Sequence, residues 1–176
     1  EMSDAVHTQA EISILLFAPL IIAFILFIKP IIILLYSDKF LPIEIMMYWS
    51  IGATLFQAIG WALSYTVLAK AKPVYFFLNE LGAKFYSVPL RLLGYKFFGL
   101  AGFGMATLVV YVLYLLQLLI VSKRLFGITY KFSIWKQLLL LNIPVVLVVA
   151  IKFLLQEITA FFVGGIVLLS VSAYII

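Results

Sequence analysis

The stretch ISILLFAPLIIAFILFIKPIIILLY, residues 12–36, carries one charge, Lys29, in a run that is otherwise almost wholly apolar. A helix rises ~1.5 Å per residue, so about 20 such residues cross the ~30 Å hydrocarbon core of a bilayer. The stretch is long enough to span. Its two prolines, Pro19 and Pro30, are expected to bend the helix rather than end it, because each removes one backbone hydrogen bond that a membrane bundle can replace.

Working outward, the same signature recurs at 44–69, 73–93 and 100–121, and again twice between 137 and 176. The reading is an all-α, polytopic membrane protein of about six transmembrane helices. Composition agrees: 66% of the 176 residues are hydrophobic and 11% charged, with a mean hydropathy of +1.26, against roughly 45–50% and 25% in soluble domains. A transmembrane barrel would show ~10-residue segments of alternating polarity, which are absent.

The net charge of +5 does not mark a nucleic-acid surface, because the basic residues are scattered between apolar segments. The chain has no cysteine, which excludes disulfides and thiolate chemistry. It opens EMSDAVHTQAE, with no basic region before its first apolar run, unlike a signal peptide. Residues 1–11 are therefore expected to be a cytoplasmic stub, the chain being the C-terminal part of a longer protein.

Tyr36, Phe40, Tyr48 and Trp49 gather around the turn SDKFLP as an interfacial aromatic belt would. Alternate turns differ in basic content. Lys70, Lys72, Lys123, Arg124, Lys131 and Lys136 fall in one set, the last four within SKRLFGITYKFSIWK; Lys39 and Lys96, with Arg91 and Lys152 at helix ends, fall in the other. The first set is expected to be cytoplasmic, with residues 126–136 as a basic loop there, and Ser37 to Leu41 and Glu157 outside.

The third span holds the most chemistry. Glu80, Lys84, Ser87 and Arg91 fall at offsets of 0, 4, 7 and 11, which at ~100° per residue places them within an arc of about 60°. Ionisable groups at membrane depth normally face a bundle interior or a watered cavity, so this face is a candidate substrate or ion pathway. The plainer alternative is a Glu80–Lys84 ion pair with Arg91 snorkelling to the surface. In the second span Ser50, Thr54, Gln57, Trp61 and Ser64 share an arc of about 80° by the same geometry, although polar groups such as Gln57 can simply join helices. Two neighbouring helices with polar stripes favour a shared aqueous crevice. Thr107, Tyr111 and Tyr114 form a weaker third stripe, read as core packing. The last two helices, with Asn142 and Lys152 as their strongly polar interior groups, are expected to be peripheral.

Gly99 to Gly104 mimic a phosphate loop, but that motif needs a preceding strand; Gly102 and Ala106 instead suit close helix approach. Pro89 is expected to kink the charged helix, with or without a gating role. His7, the single histidine, is expected to be solvated. With no histidine in any span, no paired carboxylates and no metal-ligand cluster, enzyme activity and cofactors are not expected.

The order FAPLIIAFILFIKPIIILLYSDKF (17–40), MMYWSIGATLFQAIGWALSYTVLAKAK (46–72) and GLAGFGMA (99–106) resembles the C-terminal part of bacterial polysaccharide flippases. These are the O-antigen translocases of the multidrug/oligosaccharidyl-lipid/polysaccharide exporter superfamily. The resemblance runs from Glu11 to Lys131, is greatest from Ile31 to Lys72, and fades in the last two spans. It implies part of the second lobe of a two-lobe exporter in the bacterial inner membrane. Such an exporter moves undecaprenyl-diphosphate-linked oligosaccharide between leaflets by alternating access, with the missing N-terminal lobe as its partner. Under it, Lys84 and Arg91 meet the diphosphate, Glu80 tunes Lys84 or couples to a cation, and Gln57, Trp61 and Ser64 meet sugar hydroxyls. The alternatives are a multidrug and toxin extrusion antiporter, whose cationic cargo calls for carboxylates, and a structural membrane subunit. Two bases against one acid in the third span favour the flippase.

Overall fold

A computed structural model describes residues 2–69, 73–127, 130–154 and 157–175. The elements are all helical: α1 (Met2–Leu35), a 3-10 turn (Asp38–Ile43), α2 (Glu44–Ala69), α3 (Pro73–Phe126), α4 (Phe132–Leu154) and α5 (Glu157–Ile175). Among the described residues three of them, α1, α3 and α4, contain stretches long and apolar enough to cross a membrane.

Residues 73–126 form one continuous element doubled back at a single residue. Gly99 has φ 59° and ψ −141°, a region essentially reserved for glycine because a Cβ there meets the backbone. The two arms, 73–98 and 100–126, lie antiparallel: Glu80 is bonded to Tyr114 and Asn79 to Gln117, and Gly94 packs against Gly102 and Ala106. The stretches read as third and fourth spans form the two arms, but GYKFFG is helical up to the apex rather than an open loop. The expected small-residue contact is present at Gly102 and Ala106, facing the first arm. Gly104, on the other side of the helix, packs against Met46 and Trp49 of α2.

α2 lies beside this hairpin and packs against α1, and α1 in turn carries α4 and α5. Helices in lipid associate through close packing more than through water exclusion, and α1 supplies a continuous buried face of Ile14, Ile22, Ile25, Ile28 and Ile32. α4 answers with Ile134, Leu138, Leu141, Val145 and Val148, a spacing of alternating four and three residues that keeps one helix face against its neighbour. The outer surface is apolar too: Leu34 is 84% exposed, Phe85 81% and Phe132 81%. Only 39%, 33% and 28% of the three apolar windows are buried within the protein. A soluble protein rarely leaves such a surface to water; hydrocarbon is its natural solvent.

Several expectations change. α1 starts at Met2, so the stretch before Ile12 is helical, not a separate stub. α4 starts at Phe132, so the basic connection is shorter than residues 126–136 and its second half is the first turns of a helix. His7 is not solvated but 5% exposed, its ring 5.8 Å from that of Tyr130. Sequence proximity to charged neighbours hid this, because the burial comes from a loop more than a hundred residues away. In the aromatic belt, Tyr36 and Phe40 stack on each other and are exposed, whereas Tyr48 turns inward and donates to Glu44.

The molecule has two distinguishable ends. The α1–α2 turn, with Lys39, packs against α3, which places the Gly99 apex and Lys96 near it. At the opposite end Lys131 bonds Asp4 at 3.5 Å, and Lys123, Arg124 and Lys136 are exposed. Lys70 and Lys72 lie outside the described residues, and the side chain of Glu157 is likewise not described.

Candidate functional site

A polar cavity of about 100 Å³ lies between α2 and the two arms of α3. It is lined by Gln57 and Trp61 from α2, Glu80, Lys84, Ser87 and Arg91 from the first arm, and Tyr111 and Tyr114 from the second. Two stripes read separately from the sequence, each by its ~100° helical period, therefore meet. The antiparallel register of α2 and the first arm is what brings them together: Ser64 bonds Glu80 near one end, and Gln57, seven residues before Ser64, lines the same cavity as Ser87, seven residues after Glu80.

At one end sits a three-helix node. The Glu80 carboxylate accepts hydrogen bonds from Tyr114 and, at 3.3 Å, from Ser64, while the Tyr114 hydroxyl also lies 3.3 Å from the Ser64 hydroxyl. One residue back, the side-chain amide of Gln117 donates to both the backbone carbonyl and the side-chain oxygen of Asn79, each at 2.8 Å. These ties set the register of the hairpin. Among the described residues no ion pair joins Glu80 to Lys84, so the internal pair expected of an acid and a lysine one turn apart is not made.

The other end is cationic. Lys84 is exposed, and Arg91 has its Nε buried with no hydrogen-bond partner. A guanidinium donor shut off from water without an acceptor is costly, and such orphans call for an explanation, a ligand being one. Ser87, between them, donates to the Lys84 carbonyl of its own helix at 3.3 Å.

Not every polar residue of the stripes reaches the cavity. Thr54 donates to the Ile51 carbonyl at 2.5 Å, and neither it nor Ser50 lines the cavity. Thr107 likewise turns back on its own helix, bonding Phe103 at 2.9 Å. Tyr111 and Tyr114, read as core packing, do belong to the core, Tyr114 buried in it and Tyr111 packed against it, and they also line the cavity. The sequence reading missed Asn79 and Gln117 altogether. The available signal was Gln117, a carboxamide in an apolar run three residues after Tyr114.

No described residue of α4 or α5 lines this cavity. Asn142 bonds its own helix at Leu138, 2.7 Å away. Lys152 reaches across to α1 and donates to the Leu26 carbonyl at 3.1 Å, with its ammonium 5.8 Å from the Tyr48 ring. Among the described residues no group of histidine, cysteine, aspartate and glutamate side chains could hold a metal ion. Comparison of the chain with protein-family models, with curated proteins and with solved structures gives no match.

Proposed function

We propose that the chain is part of the second lobe of a polysaccharide flippase in the bacterial inner membrane, with about six transmembrane helices. Its cavity would meet an undecaprenyl-diphosphate-linked oligosaccharide as the lipid is moved between leaflets by alternating access. The observation that carries this reading is the convergence of Gln57, Trp61, Lys84 and Arg91 on one cavity walled by a helix apolar enough to cross a membrane. Charged side chains there are costly and normally serve a pathway. A planar guanidinium with an unpartnered donor suits a phosphate oxygen, an exposed ammonium adds positive charge, and an indole beside a carboxamide suits a sugar face.

The cavity is smaller than the ~300–1,000 Å³ of a typical ligand site, so in this reading the remaining wall comes from a first lobe. No catalytic role is assigned; transport needs none. A cation antiporter of the same superfamily is the second reading, supported by the hydroxyl-ligated Glu80 carboxylate, but two cations on the cavity wall disfavour cationic cargo.

The test is complementation of surface-polysaccharide export in the complete transporter, with membrane abundance measured alongside. Arg91→Ala is expected to reduce export by about 10- to 100-fold, the worth of a hydrogen bond to a charged group. Arg91→Lys is expected to retain part of the function, because an ammonium keeps the charge and loses the fork. Normal export by an Arg91→Ala variant present at normal levels would remove the reading.

A further inference from the structure

We propose that Tyr114 is a positioning residue that sets the charge selectivity of the cavity: with Ser64 it holds the Glu80 carboxylate off Lys84, leaving both cations for an anionic phosphate-type ligand. The inference rests on the transport reading above and adds to it the device by which an acid is kept in the cavity wall without neutralising the site.

An acid four residues before a lysine on one helix face is the arrangement that forms an internal ion pair. Glu80 and Lys84 have that spacing and line the same cavity, yet the carboxylate is directed at the hydroxyls of Tyr114 and Ser64. Two other helical segments therefore compete with the lysine for the acid and win. The low dielectric of a membrane interior strengthens the hydroxyl–carboxylate bonds, and Tyr114 and Ser64, the two donors, are buried. At the far end the Arg91 Nε is also without a partner. Paired with Glu80, Lys84 would present little net charge; released from it, Lys84 and Arg91 lie about two turns apart on one wall, since seven residues rise ~10 Å.

Removing only the phenol oxygen by Tyr114→Phe frees one carboxylate valence and lets Glu80 swing to Lys84. The experiment is binding of inorganic pyrophosphate to the purified complete transporter in lipid nanodiscs, followed by phosphorus NMR. Tyr114→Phe is expected to weaken binding severalfold, and Glu80→Gln added to it is expected to restore binding, because an amide cannot neutralise Lys84. A merely structural tyrosine predicts no rescue, and a double variant as weak as Tyr114→Phe would overturn the inference. Should Tyr114→Phe not fold, Ser64→Ala with and without Glu80→Gln poses the same question, and absence of loss or of rescue there counts equally against it. Arg91→Ala in the same assay separates the two levels. If the unaltered transporter does not bind pyrophosphate, or Arg91→Ala binds as well as it does, the anion-transport reading itself falls. If Arg91→Ala weakens binding while Tyr114→Phe does not, only the role of Tyr114 is lost.

Discussion

Gly99 and Gly102 make the α3 hairpin possible, each for its own reason. Gly99 occupies backbone space closed to side chains, so Gly99→Ala is expected to cost about 1–3 kcal/mol through strain alone. Gly102 is in ordinary helical conformation, but a Cβ there would run into the backbone of Gly94, which has no flexible tip to move aside. Gly102→Ala is expected to cost a similar 1–3 kcal/mol by overpacking. Gly165 in α5 has nothing within 4 Å of such a Cβ, so Gly165→Ala is expected to be neutral. Thermal aggregation midpoints of the three variants in one detergent check the order; equal midpoints for Gly102→Ala and Gly165→Ala would contradict the close approach of the arms.

Between helices, a lysine closes a gap that proline opens. Pro30 has no N–H to offer the carbonyl four residues back, which is that of Leu26, and Lys152 of α4 donates to that carbonyl. An apparently isolated lysine in α4 is thus a clasp onto α1, which explains why it belongs to no stripe of its own helix. Lys152→Met keeps the bulk and strands the carbonyl, an expected loss of about 1–3 kcal/mol. Pro30→Ala restores the missing N–H and is expected to recover part of that loss in the double variant. A double variant no more stable than Lys152→Met would show that the lysine acts through other contacts. Tyr130 forms a second clasp, its buried hydroxyl donating to the Ile59 carbonyl of α2 at 2.7 Å. Tyr130→Phe is expected to cost only about 0.5–1.5 kcal/mol, because the aromatic packing against His7 survives.

Across the described residues, Lys39 and Lys96 lie at one end and Lys123, Arg124, Lys131 and Lys136 at the other, and the cavity lies along α2 and α3 between them. If the end carrying Lys123, Arg124, Lys131 and Lys136 faces the cytoplasm, as an excess of basic residues predicts, then Asp38 is external. Residues 1–176 hold no cysteine, so single replacements among them meet no background from this stretch. Asp38→Cys is expected to react with an impermeant thiol reagent in intact cells and Ser133→Cys only after permeabilisation. The reverse pattern would invert the orientation.

The sequence alone determined the solvent and the helical class of this protein, because long apolar runs admit few backbone solutions in a bilayer. It also determined which faces of α2 and of the first arm are polar, since side-chain direction in a helix follows from the ~100° step per residue. Glu80, Lys84, Ser87 and Arg91, with Gln57 and Trp61, were legible for that reason. Partner choice was not. Whether Glu80 bonds Lys84 or Tyr114, and whether His7 meets water or Tyr130, depends on groups brought near by helix packing from 34 and 123 residues away. Nor does periodicity carry the one-residue apex at Gly99 or the reach of Lys152 to Leu26, because both arise from how closely two helices approach. Spacing along a chain specifies a helix's own faces; the distance between helices is set by every contact along their length, and only the tertiary structure decides it.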